Sequence, residues 1–123
     1  MVRGEVWLVN LDPTVGAEIR KMRPAVIVND DAIGILPLKV IVPITDWKER
    51  YSQAAWMVKI IPDQENGLSK PSAADAFQVR SVSQNRFVRR LGILRGEQME
   101  DISTALSAVL ALSQRPQEKK YDI

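Results

Sequence analysis

The chain contains no histidine and no cysteine, and these two absences remove several classes of active site. Without histidine there can be no histidine acid/base pair, no Ser-His-Asp triad and no histidine-ligated metal centre. Without cysteine there can be neither disulfide bonds nor thiolate zinc sites. If the protein is an enzyme, its chemistry must therefore depend on arginine, lysine, hydroxyl or carboxylate side chains.

Long hydrophobic runs are also absent. The longest, such as residues 33–36, are far shorter than the roughly 20 residues that a membrane-spanning helix needs. The chain begins Met-Val-Arg-Gly-Glu, without the apolar segment of a secretion signal, so we expect a cytoplasmic protein that does not enter a membrane. Its 123 residues, of which 46% are hydrophobic and 26% charged, suit one globular domain.

The net positive charge is small, but the basic residues are clustered along the chain. The net charge is only +2, which does not by itself indicate nucleic-acid binding. Between Phe77 and Gly96, however, the sequence has no acidic residue and five arginines: Arg80, Arg86, Arg89, Arg90 and Arg95. A second basic cluster covers residues 20–23. Guanidinium groups bind phosphate bidentately, so the clusters fit a phosphate-bearing ligand, although a solvated basic face would have the same composition.

Short apolar runs separated by turn residues predict a small β barrel. We expect strands at residues 6–9, 25–28, 39–45, 55–60, 73–79 and 87–93. The second and third runs are apolar on both faces, as expected of strands covered on two sides, and Pro43 indicates a bulge or an edge position. After Gly96 the apolar spacing changes to i, i+3, i+4, which predicts one amphipathic helix from about residue 97 to 114.

RNA cleavage by internal attack is one reaction that this limited set of side chains can serve. The substrate supplies the nucleophile, its ribose 2′-OH, and the protein must align it and stabilise the extra negative charge on the phosphorane. Arginine suits the second task but is a poor general base, because its pKa stays above about 12. A threonine hydroxyl can donate to a phosphate oxygen or position the attacking group. The reaction needs neither a metal nor a cofactor.

Three segments of the chain resemble the MazF/PemK toxins, and together the resemblance covers residues 3–113. The first segment, residues 12–29, has Asp-Pro after a strand, a Gly-x-Glu loop, and Arg-Pro opening an apolar strand that ends in Asn. The second, residues 42–45, is a strand that ends in a hydroxyl residue. The third, residues 78–82, reads Gln-Val-Arg-Ser-Val and is followed by a polar turn and a last strand.

The resemblance implies a mainly β fold, an SH3-like barrel of the CcdB/PemK type with a C-terminal helix. It would form a single domain over residues 1–114, followed by a flexible polar tail at 115–123. It further implies the toxin of a type II toxin-antitoxin system, a homodimeric, sequence-specific and metal-independent endoribonuclease that cleaves single-stranded mRNA. The cut would leave 2′,3′-cyclic phosphate and 5′-OH ends. A cognate antitoxin would silence the toxin by covering its RNA groove with a disordered tail.

The motif matches also assign functional residues by resemblance. Arg23 matches the catalytic arginine of the family, Thr45 its catalytic hydroxyl, and Glu18 a loop acid implicated in the activity of some members. Residues that match positions near the RNA are Asn29, Gln78 and Arg80. Trp47, just after the second motif, could offer a stacking face for an unpaired base. The resemblance implies no metal ligand.

Simpler roles remain open for several of these residues. Arg23 could extend into water at the entry of a strand, and Thr45 could cap a turn. Glu18 could be an exposed loop charge, and Trp47 could be a partly buried anchor for its loop. We interpret Arg86, Arg89 and Arg90 as electrostatic background.

One position departs from the family pattern. Some members have an acid immediately before the glutamine of the third motif, where this chain has Phe77. Asp75 lies two residues earlier and, on an alternating strand, would share the face of Phe77. The carboxylate general base is therefore left unassigned, and Arg80 could equally pair with Asp75.

Two other functions are compatible with the same barrel. A CcdB-like toxin would bind DNA gyrase without catalysis, but that family ends its helix in Trp-Gly-Ile, whereas this chain has no tryptophan after Trp56 and ends at residues 121–123 in Tyr-Asp-Ile. Alternatively, an inactive homologue could serve as a binding module. Phe77 favours that reading, while the presence of both Arg23 and Thr45 argues against it.

Overall fold

The computed structural model describes residues 1–33 and 36–112. Within these ranges it consists of antiparallel strands, short 3-10 turns and one C-terminal α-helix. The strands are β1 (Glu5–Asn10), β2 (Met22–Ile27), β3 (Leu38–Asp46), β4 (Met57–Ile60), β5 (Ser72–Asp75), β6 (Arg80–Ser83) and β7 (Phe87–Ile93), and the helix is α1 (Glu97–Val109). Among these elements no helix is long and apolar enough to cross a membrane.

The central strand β3 joins two parts of the barrel. Its neighbours follow the order β4-β5-β3-β2-β1-β7, and β6 also pairs with β3. The first half of β3 pairs with β6 up to Ile41, and the second half pairs with β5 from Ile44. Pro43 lies where β3 passes from one partner to the other, so the hydrogen bond that proline cannot donate is not required there. The predicted bulge or edge position for Pro43 is wrong, because β3 is a central strand and Pro43 pairs with Ala25 of β2 in a regular register.

The interior is formed by two apolar clusters on either side of β2 and β3. One includes Val26, Val42 and Ile44 and extends to Ile102 and Ala105 of α1. The other is built from β1, β2, β3 and β6 and contains Val9, Leu11, Ala25, Ile27, Ile41 and Val82. Both faces of β2 and β3 are therefore covered, as their unbroken apolar sequences predicted. Burial on both faces makes these two strands a rigid support for side chains at their ends.

The predicted strand over residues 73–79 is wrong, because two strands and a turn replace it. β5 ends at Asp75, a 3-10 turn covers Ala76–Gln78, and β6 begins at Arg80. The turn forms because the Asp75 side chain caps it, accepting a hydrogen bond from the backbone N–H of Phe77 at 3.1 Å. As a result Asp75 is buried while Phe77 is 65% exposed, and the two do not share a strand face.

The helix begins where the sequence predicted and ends earlier. α1 ends at Val109, and Ala111 just beyond it has a left-handed φ of 58° that stops the helical path. Residues 113 and 114 of the predicted helix, and the predicted flexible tail at 115–123, lie outside the described residues. The strand predicted at 55–60 is likewise shorter, since β4 begins at Met57.

Candidate active site

The barrel brings Arg23 and Thr45 together at one cavity. The β2–β3 register pairs Ala25 with Pro43 and Val26 with Val42; continued by two residues, the same register sets Arg23 opposite Thr45. Both side chains are partly buried and line a cavity of about 440 Å³. Two residues that are 22 positions apart in the sequence thus face one ligand-sized space.

The cavity carries an excess of positive charge. Lys70 and Arg89 line it together with Arg23, and Asp46 lines it as well. Lys70 Nζ lies 3.2 Å from Asp46 Oδ2, so those two charges offset each other. Among the described residues no ion pair involves Arg23 or Arg89. Arg23 and Arg89 thus both line the cavity without an ion-pair partner in the described part of the chain, which favours a phosphate ligand.

The Arg23 side chain is held from one side only. Its Nε donates to the backbone carbonyl of Arg20 at 3.3 Å, a bond within the loop that precedes β2. In the described chain neither terminal nitrogen of Arg23 has an intramolecular partner. The guanidinium is therefore oriented through Nε and keeps its terminal N–H groups available for a bound anion.

The loop between β4 and β5 forms the opposite wall of the cavity and is locked against β7. Asn66 is fully buried in this loop; its Nδ2 donates to the carbonyl of Ile61 at 2.9 Å and its Oδ1 accepts from the N–H of Leu68 at 3.0 Å. A Cβ added to Gly67 or Gly92 would lie well under 3.0 Å from the facing backbone. Glycine is required at both crossing points because only its backbone permits this approach.

The predicted residues Glu18, Gln78 and Arg80 lie together in a second groove, whose lining residues differ from those of the Arg23 cavity. The Glu18 carboxylate accepts a hydrogen bond from the N–H of Val15 at 2.5 Å and so closes its own loop. Arg80 Nη1 donates to the carbonyl of Leu11 at 3.2 Å. These contacts are made with the main chain of the segment that connects β1 to β2.

Gln78, which lines this second groove, connects it to the buried Asp75. Gln78 Oε1 accepts from the N–H of Ile19 at 2.5 Å, and its Nε2 donates to the Asp75 carboxylate at 3.2 Å and to the carbonyl of Ala17 at 3.4 Å. Burial raises the pKa of Asp75 above its ordinary value, while hydrogen bonds from Phe77 and Gln78 oppose this rise. Asp75 therefore bonds to Gln78 where the sequence had left a pairing with Arg80 open.

The structure sets Asn29 and Trp47 outside the Arg23 cavity. Asn29 Oδ1 accepts from the N–H of Val40 at 3.0 Å, so the side chain satisfies the backbone beyond the end of β2. Trp47 packs edge-on against Tyr51 with ring centroids 5.8 Å apart, and Lys59 Nζ lies 5.0 Å from the centroid of its indole ring. Trp47 directly follows Asp46, which lines the cavity, whereas neither chain neighbour of Asn29 lines it.

Sequence reasoning missed three residues of the cavity: Asp46, Lys70 and Arg89. Arg89 belonged to the arginine cluster that was interpreted as electrostatic background. Its place follows from strand pairing, since β7 sets Arg89 beside Leu8, which is itself paired with Pro24 next to Arg23. Lys70 comes from a loop that no motif marked. Among the described residues no group of three or more His, Cys, Asp or Glu side chains could hold a metal ion.

Comparison with known proteins identifies the family. Residues 2–110 match the family described as the PemK-like, MazF-like toxin of type II toxin-antitoxin system. The chain is 30% identical to the endoribonuclease MazF9 of Mycobacterium tuberculosis, with 91% of this chain and 98% of that protein covered. It is also 30% identical to the endoribonuclease MazF of Staphylococcus saprophyticus, with coverages of 91% and 92%.

Solved structures agree on the fold. MazF from Deinococcus radiodurans superimposes with a TM-score of 0.75 at 21% identity, covering 90% of this chain and 96% of that chain. A mycobacterial endoribonuclease in complex with its cognate antitoxin gives 0.73 at 20% identity, with coverages of 94% and 99%. The barrel and the family predicted from the three motifs are both confirmed. The chain belongs to the PemK-like, MazF-like toxin family of type II toxin-antitoxin systems.

Proposed function

We propose that this toxin is an endoribonuclease that cuts single-stranded mRNA in the cavity lined by Arg23 and Thr45. The observation that carries the proposal is that the β2–β3 register, continued to the strand ends, sets Arg23 opposite Thr45, and that both residues line a cavity with two arginines that have no ion-pair partner among the described residues. The curated relatives, which are named endoribonucleases, support the same reaction.

The chemistry follows from the groups present. The substrate's 2′-OH loses its proton and its oxygen attacks the adjacent phosphorus. The bond to the 5′-oxygen breaks and this oxygen takes a proton from solvent, so that the products carry a 2′,3′-cyclic phosphate and a 5′-OH. Arg23 and Arg89 stabilise the negative charge that accumulates on the nonbridging oxygens, and the Thr45 hydroxyl donates to the phosphate or positions the 2′-OH. Loss of one such donor from a preorganised site typically costs about 10²–10³ in kcat.

A proton acceptor for the 2′-OH must lie within reach of this cavity. Glu18, the acid implied by family resemblance, lines the other groove and bonds to its own loop. Asp46 is the carboxylate that lines the Arg23 cavity in the described chain. We therefore assign proton acceptance to Asp46, with Lys70, its ion-pair partner at 3.2 Å, orienting the carboxylate.

The predicted RNA-contact residues differ in how free they are to act. Trp47 follows the cavity wall directly, and we propose it as a stacking face for a base beside the cut. The polar groups of Asn29, Gln78 and Arg80 already bond to the protein itself, which favours indirect roles for them. Glu18, also engaged with its own loop, would contribute to activity through the shape of that loop.

We further propose the setting in which the toxin acts. Its partners would be mRNA, a cognate antitoxin and a second copy of the chain, and its location would be the cytoplasm. Solved complexes of related toxins with their antitoxins support the antitoxin, and the family resemblance supports the homodimer.

The test is cleavage of a long single-stranded RNA in EDTA by the wild-type protein, Arg23→Ala and Thr45→Ala. Discrete cuts with 2′,3′-cyclic phosphate ends are expected, with rates reduced at least about 10²-fold in both variants. Arg50→Ala and Thr104→Ala serve as matched controls, because both residues are exposed and lie outside the cavity. Absence of cutting on several RNAs by folded wild-type protein would contradict the nuclease and favour a binding toxin.

A further inference from the structure

A path of hydrogen bonds, with one covalent backbone step from Ile19 to Arg20, leads from the buried Asp75 to the candidate catalytic arginine. It runs from Asp75 through the Gln78 amide to the N–H of Ile19, and the next residue, Arg20, accepts from Arg23 Nε at 3.3 Å. Ile19 and Arg20 belong to the loop between β1 and β2, in which residues 15–18 are exposed while Ile19 packs against the second apolar cluster. Polar contacts to the rest of the barrel therefore act together with this one apolar contact to define where the loop lies.

Asp75 determines which way the Gln78 amide faces. An ionised carboxylate can only accept hydrogen bonds, so the amide must turn its Nε2 toward Asp75 and its Oε1 toward Ile19. The opposite orientation would place two donors, the Nε2 group and the Ile19 N–H, against each other. Because Asp75 is only 5% exposed and lies within the barrel, its position is fixed, and through Gln78 it holds the loop in place.

The geometry points to Gln78, oriented by Asp75, as a positioning residue for Arg23, and this inference rests on the proposed function. Gln78 acts on RNA cleavage by holding the loop whose Arg20 carbonyl orients the guanidinium. Both N–H groups of its amide are already engaged, with Asp75 and with Ala17, so a base could bind them only by displacing the loop. Gln78 therefore affects the rate through Arg23 rather than through contact with RNA.

The experiment compares Gln78→Leu and Asp75→Asn with wild type, and uses Gln53→Leu as the matched control because Gln53 is exposed and remote from the path. Two quantities are measured: kcat and KM for RNA cleavage, and the exchange rate of the Ile19 amide hydrogen. For Gln78→Leu we expect kcat to fall roughly 10- to 100-fold, as for a misplaced catalytic group. KM should stay within about threefold of wild type, because a loss confined to the transition state leaves ground-state binding intact. Ile19 exchange should accelerate.

Asp75→Asn should give a smaller loss of the same kind, and the double variant should lose no more than Gln78→Leu alone, because both changes break one path. An unchanged kcat in a folded Gln78→Leu protein would overturn the inference. A raised KM at constant kcat would also overturn it, since that pattern indicates direct contact with RNA. If the wild-type protein cuts no RNA, the proposed function fails and the positioning role fails with it. Ile19 exchange would then still report whether Gln78 holds the loop.

Discussion

The contact between the β4–β5 loop and β7 makes a sharp prediction about stability. Gly92 is buried against the backbone of Glu65 and Asn66, and its φ is not in the left-handed region, so alanine there meets a steric obstacle without backbone strain. The added methyl would force the loop back by about 1 Å, which as overpacking costs roughly 1–3 kcal/mol. The same shift breaks the bond from the N–H of Ile93 to the Glu65 carbonyl, 2.9 Å long, worth about 1 kcal/mol.

Gly92→Ala should therefore lower the free energy of unfolding by about 2–4 kcal/mol, a large part of the roughly 5–15 kcal/mol typical of a domain. Gly16→Ala is the matched control: Gly16 has a φ of +59° and no atom within 4 Å of the added Cβ, so it tests strain alone, worth about 1 kcal/mol. Urea unfolding at fixed protein concentration measures both losses. A loss in Gly92→Ala no greater than in Gly16→Ala would refute the close packing of loop and strand.

Three further predictions concern charged residues. Because burial raises the pKa of Asp75 above its ordinary 3.8, the folded state holds this proton more tightly. Its contribution to stability is complete below the ordinary pKa and is lost as the pH rises through the raised folded pKa; in urea unfolding, Asp75→Asn should show less of this decline than wild type. Arg89→Ala should reduce kcat/KM about 10- to 100-fold in the RNA-cleavage assay. Arg90→Ala is the control and should change kcat/KM little, because Arg90 pairs with Glu5 at 3.1 Å outside the cavity. Equal effects of the two substitutions would contradict the assignment of Arg89. Asp46→Asn should lower kcat at neutral pH by about 10²–10⁴ if Asp46 accepts the proton, and an unchanged pH–rate profile would show that another group does so.

The barrel could be predicted because its signals are local. Runs such as residues 25–28 and 39–45 are apolar on both faces, and the change of spacing after Gly96 marks the helix. The break at Asp75 could not be read in this way, since it depends on one carboxylate capping a turn that alternation alone does not reveal. Family motifs supplied Arg23 and Thr45, which no composition or period would have selected.

The rest of the site is defined by pairing between distant segments. Arg89 is one of five arginines between Phe77 and Gly96, and only the β7–β1–β2 register sets it in line with Pro24, next to Arg23. Lys70 reaches the cavity because glycines at 67 and 92 let its loop lie against β7. Such placements depend on backbone contacts over long sequence separations, which spacing within one segment does not encode.

The proposed reaction requires the substrate's own 2′-OH to perform the attack in the Arg23 cavity. The most direct measurement takes an RNA with one mapped cut and replaces the nucleotide on the 5′ side of that cut with its 2′-deoxy form. The wild-type protein should bind this RNA with unchanged affinity but should no longer cleave the modified bond. Continued cleavage at that bond would show that water or another nucleophile attacks, and would contradict the proposed reaction.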